Sequence, residues 1–153
     1  MQIPDSIMNK TLTSVTVNGR YVAPCSFYEQ SSLSSISAKT GILFVDEYSF
    51  YECTSLTKDS LSFDKLVYIG DHAFYGCSGL SGTIYLDNVR YIGSDAFTNT
   101  NISEIILGVK ICALADTSSI PSSVTAIKVP SSSVDAYKSY YNWSNFANII
   151  VSK

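Results

Sequence analysis

Apolar residues recur along this chain at a period of 23 or 24 residues. The plainest column is phenylalanine, with gaps of 23, 24 and 23 residues between Phe27, Phe50, Phe74 and Phe97. Three further columns keep register: a leading aliphatic residue, an aromatic residue before each phenylalanine, and a β-branched residue after that aromatic one. Their members are Leu12, Leu33, Leu56, Leu80 and Ile102; Tyr21, Phe44, Tyr68 and Tyr91; and Val22, Val45, Ile69 and Ile92. This period predicts a repeat architecture, and we number the repeats one to five by their leading aliphatic residues.

Within one repeat, the spacing of apolar residues predicts two short strands and a turn. The opening follows Leu-x-x-Ile-x-Leu, as at Leu12, Val15 and Val17, and its last two apolar positions alternate as in a half-buried strand. A second extended stretch carries the β-branched column inward, and we expect the Ala-Phe segment to form a turn of α-helix or 3₁₀-helix. Stacked repeats would share one continuous core, with the phenylalanines as a ladder through it.

Repeats three and four carry a more specific pattern. Residues 68–80 read Tyr-Ile-Gly-Asp-His-Ala-Phe-Tyr-Gly-Cys-Ser-Gly-Leu, and residues 91–97 begin the same way. The pattern I-G-x-x-A-F-x-G-C-x-x-L resembles the BspA-like leucine-rich repeat of bacterial surface proteins and some phage structural proteins, over residues 12–129. The resemblance implies a leucine-rich-repeat solenoid, β-rich with short helical or 3₁₀ turns. Repeats one and two depart from the pattern, because Ala23 and Asp46 replace the glycine, and repeat five loses the phenylalanine motif.

The pattern divides the chain into three parts. Residues 1–11 are a leader strand or contact segment, residues 12–123 hold about five repeats of 21–24 residues, and residues 124–153 form a last strand and a C-terminal capping helix. We expect the serines at 131–133 to offer a helix N-cap, and Trp143 and Phe146 to cover the open end. The string from Val129 to Lys138, followed by W-x-x-F-A, also resembles tails of leucine-rich-repeat structural proteins of phages that infect gram-positive bacteria.

The four cysteines, Cys25, Cys53, Cys77 and Cys112, leave more than one arrangement open. Cys53 and Cys77 each lie three residues after their phenylalanine, and the spacing of stacked strands permits a disulfide between them without requiring one. A zinc site of Cys53, Cys77 and His72 is conceivable, but its spacing matches no metal motif. We favour two free, buried thiols that act as small hydrophobic groups, and we expect no metal or cofactor.

Candidate catalytic groups are few. A Ser-His-Asp arrangement would need His72, the single histidine, which occupies a column held by Cys25, Tyr48 and Asp95 in other repeats. That column reads as a variable, exposed position. A glycosidase-like carboxylate pair could come from Asp64, Asp87 and Glu104, but carboxylates on a solvated strand face are the simpler interpretation. We therefore expect that the chain is not an enzyme.

Charge and hydropathy narrow the classes of partner that the chain can bind. The net charge is −3 with a pI near 4.9, which offers no basic surface for nucleic acid. No run of about 18 apolar residues predicts a membrane span. The N-terminus, from Met1 to Asp5, has neither the basic nor the apolar part of a secretory signal. We expect a location on an extracellular surface or a virion.

Two surfaces are candidates for partner binding. If residue 69 faces inward, residue 68 faces outward, and the aromatic column forms an exposed stripe that could stack on sugar rings or anchor a protein. The alternative is that these rings only stack on each other and shield the core. The second candidate is the outward face of the longer strands. The members of the two surfaces are Tyr21, Phe44, Tyr68 and Tyr91; and Asp64, Tyr85, Asp87, Glu104, Ile106 and Lys128.

These observations favour a recognition or adhesion module. The first hypothesis is a phage virion component in a tail, fibre or decoration. The second is part of a bacterial cell-surface adhesin that binds host protein or glycan. The expected partners are a protein or glycan on a cell surface or neighbouring virion proteins, and an exposed strand edge makes a homo-oligomer possible.

Overall fold

The structure, a computed structural model, describes residues 11–153. The predicted contact segment at residues 1–11 therefore lies outside the described residues except for Thr11. The strands of the described part, in chain order, are β1 (Ser14–Val17), β2 (Tyr21–Val22), β3 (Ser35–Ala38), β4 (Phe44–Val45), β5 (Tyr68–Ile69), β6 (Ser81–Leu86), β7 (Tyr91–Ile92), β8 (Asn101–Leu107), β9 (Ala113–Leu114), β10 (Ala126–Val129) and β11 (Ile150–Ser152). The helix α1 is Val134–Ser139, and 3₁₀-helices lie at Phe63–Lys65, Thr117–Ser119, Ser131–Ser133 and Trp143–Phe146.

The two-residue strands form a sheet that passes through all five repeats without a break. Its order is β2-β4-β5-β7-β9, and every pairing is parallel. The register places the aromatic column in one row, and the β-branched column beside it is buried at Val45, Ile69 and Ile92. The sequence repeat is thus a structural repeat on this side of the molecule.

The longer strands, in contrast, form two separate sheets. One consists of β1 and β3, and the other has the order β11-β10-β8-β6. Repeat three contributes no strand to either sheet. Its chain forms a turn at residues 58–59, a bend at residues 60–61 and then the 3₁₀-helix Phe63–Lys65. The prediction that Asp64 lies on a strand face is therefore wrong.

A ladder of phenylalanines runs through the core. The rings of Phe27, Phe50, Phe74 and Phe97 stack with centroid distances of 5.3, 5.4 and 5.5 Å and interplanar angles of at most 14°. Phe50, Phe74 and Phe97 have no solvent-exposed area. The predicted ladder is present, and it links the cores of four consecutive repeats.

The Ala-Phe segments are runs of turns, with the 3₁₀-helix Thr117–Ser119 as the helical exception, so the helical expectation is wrong for repeats one to four. Two columns of left-handed residues cause this, because their positive φ interrupts helical geometry. They are Cys25, Tyr48, His72 and Asp95, with φ from 52° to 58°, and Glu29, Glu52, Gly76 and Asn99, with φ from 56° to 72°. The N–H groups of His72, Phe74 and Gly76 point to the next repeat and donate to carbonyl oxygens at 2.8–2.9 Å.

The Ile-Gly pairs are explained by close approach of neighbouring repeats. A methyl group at Gly70 would lie 2.6 Å from the backbone nitrogen of Glu47, and one at Gly93 would overlap the backbone nitrogen of Asp71. Only glycine lets the backbones come this close. Gly70 and Gly93 therefore permit the close approach of repeats two, three and four, whereas Asp46 and Ala115 occupy the same position in repeats two and five.

Repeat five keeps the shape of the others despite its lost motif. β9 pairs with β7 in register, and Ser119-Ile120 occupies the place of Ala-Phe, 23 residues after Ala96-Phe97. Ile120 is 5% exposed, and the Ser119 hydroxyl donates to the Ile92 carbonyl at 3.0 Å. The loss of the phenylalanine reflects a change of side chain within an intact repeat.

The C-terminal segment packs on repeat five. Tyr137 and Trp143 are fully buried, with their rings edge-to-face at 5.2 Å. The predicted serine N-cap is wrong in its detail. Ser131–Ser133 form a 3₁₀-helix of their own, and the Ser133 hydroxyl donates to the Val109 carbonyl at 3.1 Å instead of capping α1.

Candidate recognition surface

The break between the two longer-strand sheets has its origin in the sequence of repeat three. Asp59 stands three residues after Leu56, where repeats one and two carry the inward-facing Val15 and Ile36. Aspartate is a poor strand residue and costly to bury, so the chain turns instead of extending here. The Ser60 hydroxyl stabilises that turn by accepting a hydrogen bond from the Thr57 backbone N–H at 2.8 Å.

This break leaves a groove between residues 58–64 and strand β6. Its volume is about 450 Å³. The floor is apolar, since Leu61, Phe63 and Ile84 are buried, and Tyr85 stands on the β6 side with 56% of its surface exposed. Lys58, Asp59, Ser62, Asp64, Thr83 and Asp87 complete the lining. Sequence reasoning placed three of these residues, Asp64, Tyr85 and Asp87, on the candidate outward face.

The rest of the outward face lies on the four-stranded sheet. The register aligns Tyr85 with Ile106 and Ile106 with Lys128, so the three side chains form one row. Ile106 is only 7% exposed, between its two larger neighbours. The expectation that Ile106 is an exposed contact residue is therefore wrong, and Tyr85 is the exposed apolar residue of this row.

Ion pairs occupy most of the charged groups on the outward face. The Lys128 ammonium lies 3.1 Å from the Glu104 carboxylate, and Lys153 lies 2.6 Å from Asp87. Lys153 also donates to the Leu107 carbonyl at 2.9 Å. Asp87, Glu104 and Lys128 are thus each engaged in an ion pair, whereas the exposed ring of Tyr85 is available to a partner.

The aromatic stripe divides into an open and a stacked half. Tyr21 and Phe44 are 53% and 41% exposed, whereas the half-buried rings of Tyr68 and Tyr91 stack at 5.1 Å with an interplanar angle of 9°. The Tyr21 hydroxyl donates to the Asp46 carboxylate at 2.7 Å, and this hydrogen bond raises the pKa of Tyr21. Each ring of the stacked half contacts its neighbour through one face. Tyr21 and Phe44 are therefore the part of the stripe whose ring surface is available to a partner.

A second aromatic ladder follows the phenylalanine column. Tyr28, Tyr51 and Tyr75 stack at 4.8 and 4.9 Å, and the His72 ring stacks on Tyr48 at 4.7 Å. The rings cover each other's faces and present edges to solvent. This geometry suits stabilisation of the stack more than binding of a flat ligand.

The residues considered for metal, redox and acid–base chemistry form no common metal-binding group within the described part of the chain. The thiols of Cys53 and Cys77 are free and buried, and each donates to a carbonyl of the preceding repeat at 3.0 Å. Burial raises the pKa of Cys53 to about 12 and that of Cys77 well above its usual value. His72 lies in the left-handed surface column with its Nε2 atom 3.7 Å from Asp95. The described residues contain no group of three or more histidine, cysteine, aspartate and glutamate side chains suited to a metal ion.

Comparison with known families assigns the repeat. A family model described as the BspA type leucine-rich repeat region matches residues 4–118 with six copies. The chain belongs to the BspA-type leucine-rich-repeat family. The copies cover the turns and short strands that stack in register here, as well as the break in repeat three. A search of curated proteins finds no match to this BspA-type chain. Among the described residues no helix is long and apolar enough to cross a membrane.

Sequence reasoning did not include Lys58, Asp59, Leu61 and Phe63 in the candidate surface. The signal was present in Asp59, which interrupts the Leu-x-x-Ile-x-Leu pattern of this BspA-type repeat. Recognising that interruption as a missing strand would have placed Leu61 and Phe63 beneath a groove and Asp64 at its rim.

Proposed function

We propose that this chain is a non-enzymatic recognition module that binds its partner through the outward face around Tyr85. The observation that carries this proposal is one exposed aromatic ring beside a groove with an apolar floor. Aromatic residues set against a pocket are the usual anchors of protein interfaces. BspA-type leucine-rich repeats are typically binding modules without catalytic activity, which agrees with this assignment.

The setting we propose is a phage virion, with the chain as a component of a tail, a fibre or a decoration. Two features support it: the likeness of the segment from Val129 to Lys138 to tails of phage structural proteins, and four free thiols, which suit synthesis in a reducing compartment. The alternative is a bacterial cell-surface adhesin that binds host protein or glycan, and the exposed Tyr21 and Phe44 fit either setting.

Mass spectrometry of separated fractions from the source strain tests the setting. Purified phage particles, cell walls and culture supernatant would be digested and searched for peptides of this chain. We expect the chain in the particles at a fixed ratio to the major virion proteins. Detection only in the cell-wall or supernatant fraction would contradict the virion assignment and favour the adhesin.

Binding through the outward face is tested with two tyrosine variants. The labelled chain would be incubated with cells, or with particles that lack it, and the retained fraction measured. We expect Tyr85→Ala to weaken retention about tenfold or more, and Tyr140→Ala to leave it unchanged, since Tyr140 is 46% exposed but lies on the C-terminal segment. Equal retention of the two variants would refute a role for the outward face.

We further propose that the stacked repeats form a solenoid and that the C-terminal segment caps its end. Three side chains of that segment bind backbone carbonyls of repeat five: Tyr137 to Lys110 at 3.1 Å, Trp143 to Cys112 at 2.6 Å and Asn142 to Leu114 at 3.0 Å. An end of this kind must be covered because a terminal repeat otherwise exposes core.

The cap is tested by comparing Trp143→Ala with Tyr141→Ala. Trp143 is fully buried, so its loss should lower the free energy of unfolding by about 3–5 kcal/mol, whereas Tyr141 is 80% exposed and should change it by less than about 0.5 kcal/mol. Urea denaturation followed by circular dichroism gives both values. Similar small losses for the two variants would count against the cap.

A further inference from the structure

Strand β6 has a free edge that faces the groove. The Leu80 carbonyl, directly before β6, accepts a hydrogen bond from the Asn101 N–H of β8 at 2.8 Å. Main-chain groups alternate in direction along a strand, so those of Gly82, Ile84 and Leu86 also face β8. The main-chain groups of Thr83 and Tyr85 therefore point the other way, toward repeat three. Apart from strand pairing, no backbone hydrogen bond joins those groups to another residue of the described part of the chain. The groove thus presents an unpaired strand edge rather than only an apolar depression.

Strand β3 forms the opposite wall of the break, and it is already hydrogen-bonded to the turn of repeat three. The Ile36 N–H of strand β3 donates to the Ser60 carbonyl at 3.0 Å, and the Ser60 hydroxyl donates to the Ser34 carbonyl at 2.7 Å. The turn of repeat three therefore pairs with β3 and leaves β6 open. An extra strand can therefore be added on the β6 side, because the turn of repeat three already occupies the edge of β3.

The groove offers one apolar and one charged feature to such a strand. Leu61 and Phe63 are 8% and 4% exposed and form a floor beside the edge, where a side chain from an added strand would lie. The carboxylate of Asp59 has no ion-pair partner within the described chain, and Asp64 has only Lys65 at 3.7 Å. The lining residues also include Lys58, but Asp59, Asp64 and Asp87 outnumber it, so the groove favours a basic group on the ligand.

We propose that the groove binds an extended peptide segment of a partner protein, which adds to the edge of β6 as an extra strand. An apolar side chain of the peptide lies over Leu61 and Phe63, and a basic side chain lies near Asp59 and Asp64. This mode of recognition takes affinity from the main chain and specificity from alternate side chains. The inference rests on the proposed function, since it names the partner chemistry of the outward face.

A peptide fits this site better than a sugar or a nucleic acid. The unpaired N–H and C=O groups of Thr83 and Tyr85 have the spacing of a strand edge, about 6.6 Å for two residues, which matches an extended backbone. A polyanion such as a nucleic acid would be repelled by the carboxylates of Asp59 and Asp64. The observed chemistry therefore selects an extended polypeptide with at least one positive charge.

The first test selects ligands from a display library of random peptides of about eight residues. Enriched peptides would be synthesised and their affinity for the full chain measured by calorimetry. Thr83→Pro removes one N–H from the free edge, whereas Ser152→Pro makes the same change on β11, the opposite edge strand of the same sheet. We expect Thr83→Pro to weaken binding about tenfold or more and Ser152→Pro to change it less than about twofold.

A second test uses the unchanged chain and so does not depend on the folding of Thr83→Pro. Each peptide would be N-methylated at one residue at a time. Strand addition predicts that affinity falls at alternate residues only, because every second N–H points toward β6. Equal effects at all residues, no enrichment of peptides, or binding that is indifferent to Thr83→Pro would overturn the proposal.

The same variants separate this inference from the proposed function. If Tyr85→Ala abolishes retention on cells or particles but selected peptides do not depend on the β6 edge, the outward face binds another kind of partner. If retention is unaffected by Tyr85→Ala, the proposed recognition surface fails as a whole.

Discussion

The side of the repeat array built from two-residue strands and the side built from longer strands differ in continuity. On the first, β2, β4, β5, β7 and β9 form one sheet, although each strand contributes only two residues. On the second, the sheet stops at β3 and resumes at β6, although its strands have three to seven residues. Strand length is therefore not what keeps a row of repeats in register.

The difference lies in what stands behind each strand. The two-residue strands are followed by turns whose N–H groups donate to the next repeat and by phenylalanines that stack at 5.3–5.5 Å. Register on that side is set by many contacts per repeat, so no single residue decides it. On the other side repeat three carries Asp59 at the position that Val15 and Ile36 occupy in repeats one and two, and it forms no strand there.

The largest expected effect comes from the continuous side. Phe74→Ala removes a fully buried ring between Phe50 and Phe97 and should lower the free energy of unfolding by about 3–5 kcal/mol. Phe44→Ala is the matched control, since Phe44 is 41% exposed and should lose less than about 1 kcal/mol. Chemical denaturation measures both free energies of unfolding. Similar losses would mean that the buried phenylalanine ladder stabilises the fold no more than an exposed ring does.

A smaller effect is expected where the repeats approach each other. Gly93→Ala places a methyl group against the backbone nitrogen of Asp71 and should cost about 1–3 kcal/mol. Gly19→Ala is the control because a methyl group there meets nothing within 4 Å. The two unfolding curves should differ clearly in midpoint. Coincident curves would mean that the repeats can separate at little cost.

The buried thiols provide a pH-dependent test of the core. Burial raises the pKa of Cys53 and of Cys112 to about 12 from 9.0, so the stability that they contribute is fully present below pH 9 and is lost as pH rises from there toward 12. In the native chain these thiols should react with a disulfide reagent at least about tenfold more slowly than in urea.

The control for the pH effect is Cys53→Ser. Tyrosines also titrate at high pH, so the comparison isolates the thiol: the stability of the variant between pH 8 and pH 10 should fall less than that of the unchanged chain. An identical pH dependence, or rapid native thiol labelling of all four cysteines, would contradict the buried placement.

The smallest effect is expected for the outward ion pair. Lys128 and Glu104 lie 3.1 Å apart with 39% and 23% of their side chains exposed. A double-mutant cycle with Lys128→Ala and Glu104→Gln should give a coupling of about 0.2–1 kcal/mol that shrinks at high salt. A coupling of several kcal/mol would mean that charges, rather than the apolar rows, hold the four-stranded sheet.

The sequence predicted the regular parts of the fold for a physical reason. The phenylalanine and β-branched columns each recur because the same buried contact recurs, so the pattern alone identifies the repeat, the ladder and the row of Tyr68 and Tyr91. Ile120 escaped the pattern because burial accepts isoleucine in place of phenylalanine. Burial depends on shape more than on residue type.

The candidate site was harder to predict because it arises from an exception. Asp64 and Ile106 were assigned to an outward strand face by assuming that every repeat has the same strands. The turn at Asp59 moves Asp64 onto a 3₁₀-helix, and the neighbours of Ile106 cover it. A site that depends on how one repeat departs from its neighbours can be found only by asking what that departure does to the sheet.

Amide hydrogen exchange along β6, followed by NMR spectroscopy, tests the broken sheet and its free edge most directly. The N–H groups of Ile84 and Leu86 pair with β8 and should be protected, whereas those of Thr83 and Tyr85 face the groove and should exchange rapidly. Alternating protection of this kind is the predicted result. Equal, strong protection at all four positions would mean that repeat three pairs with β6 after all, and that the proposed recognition groove does not exist.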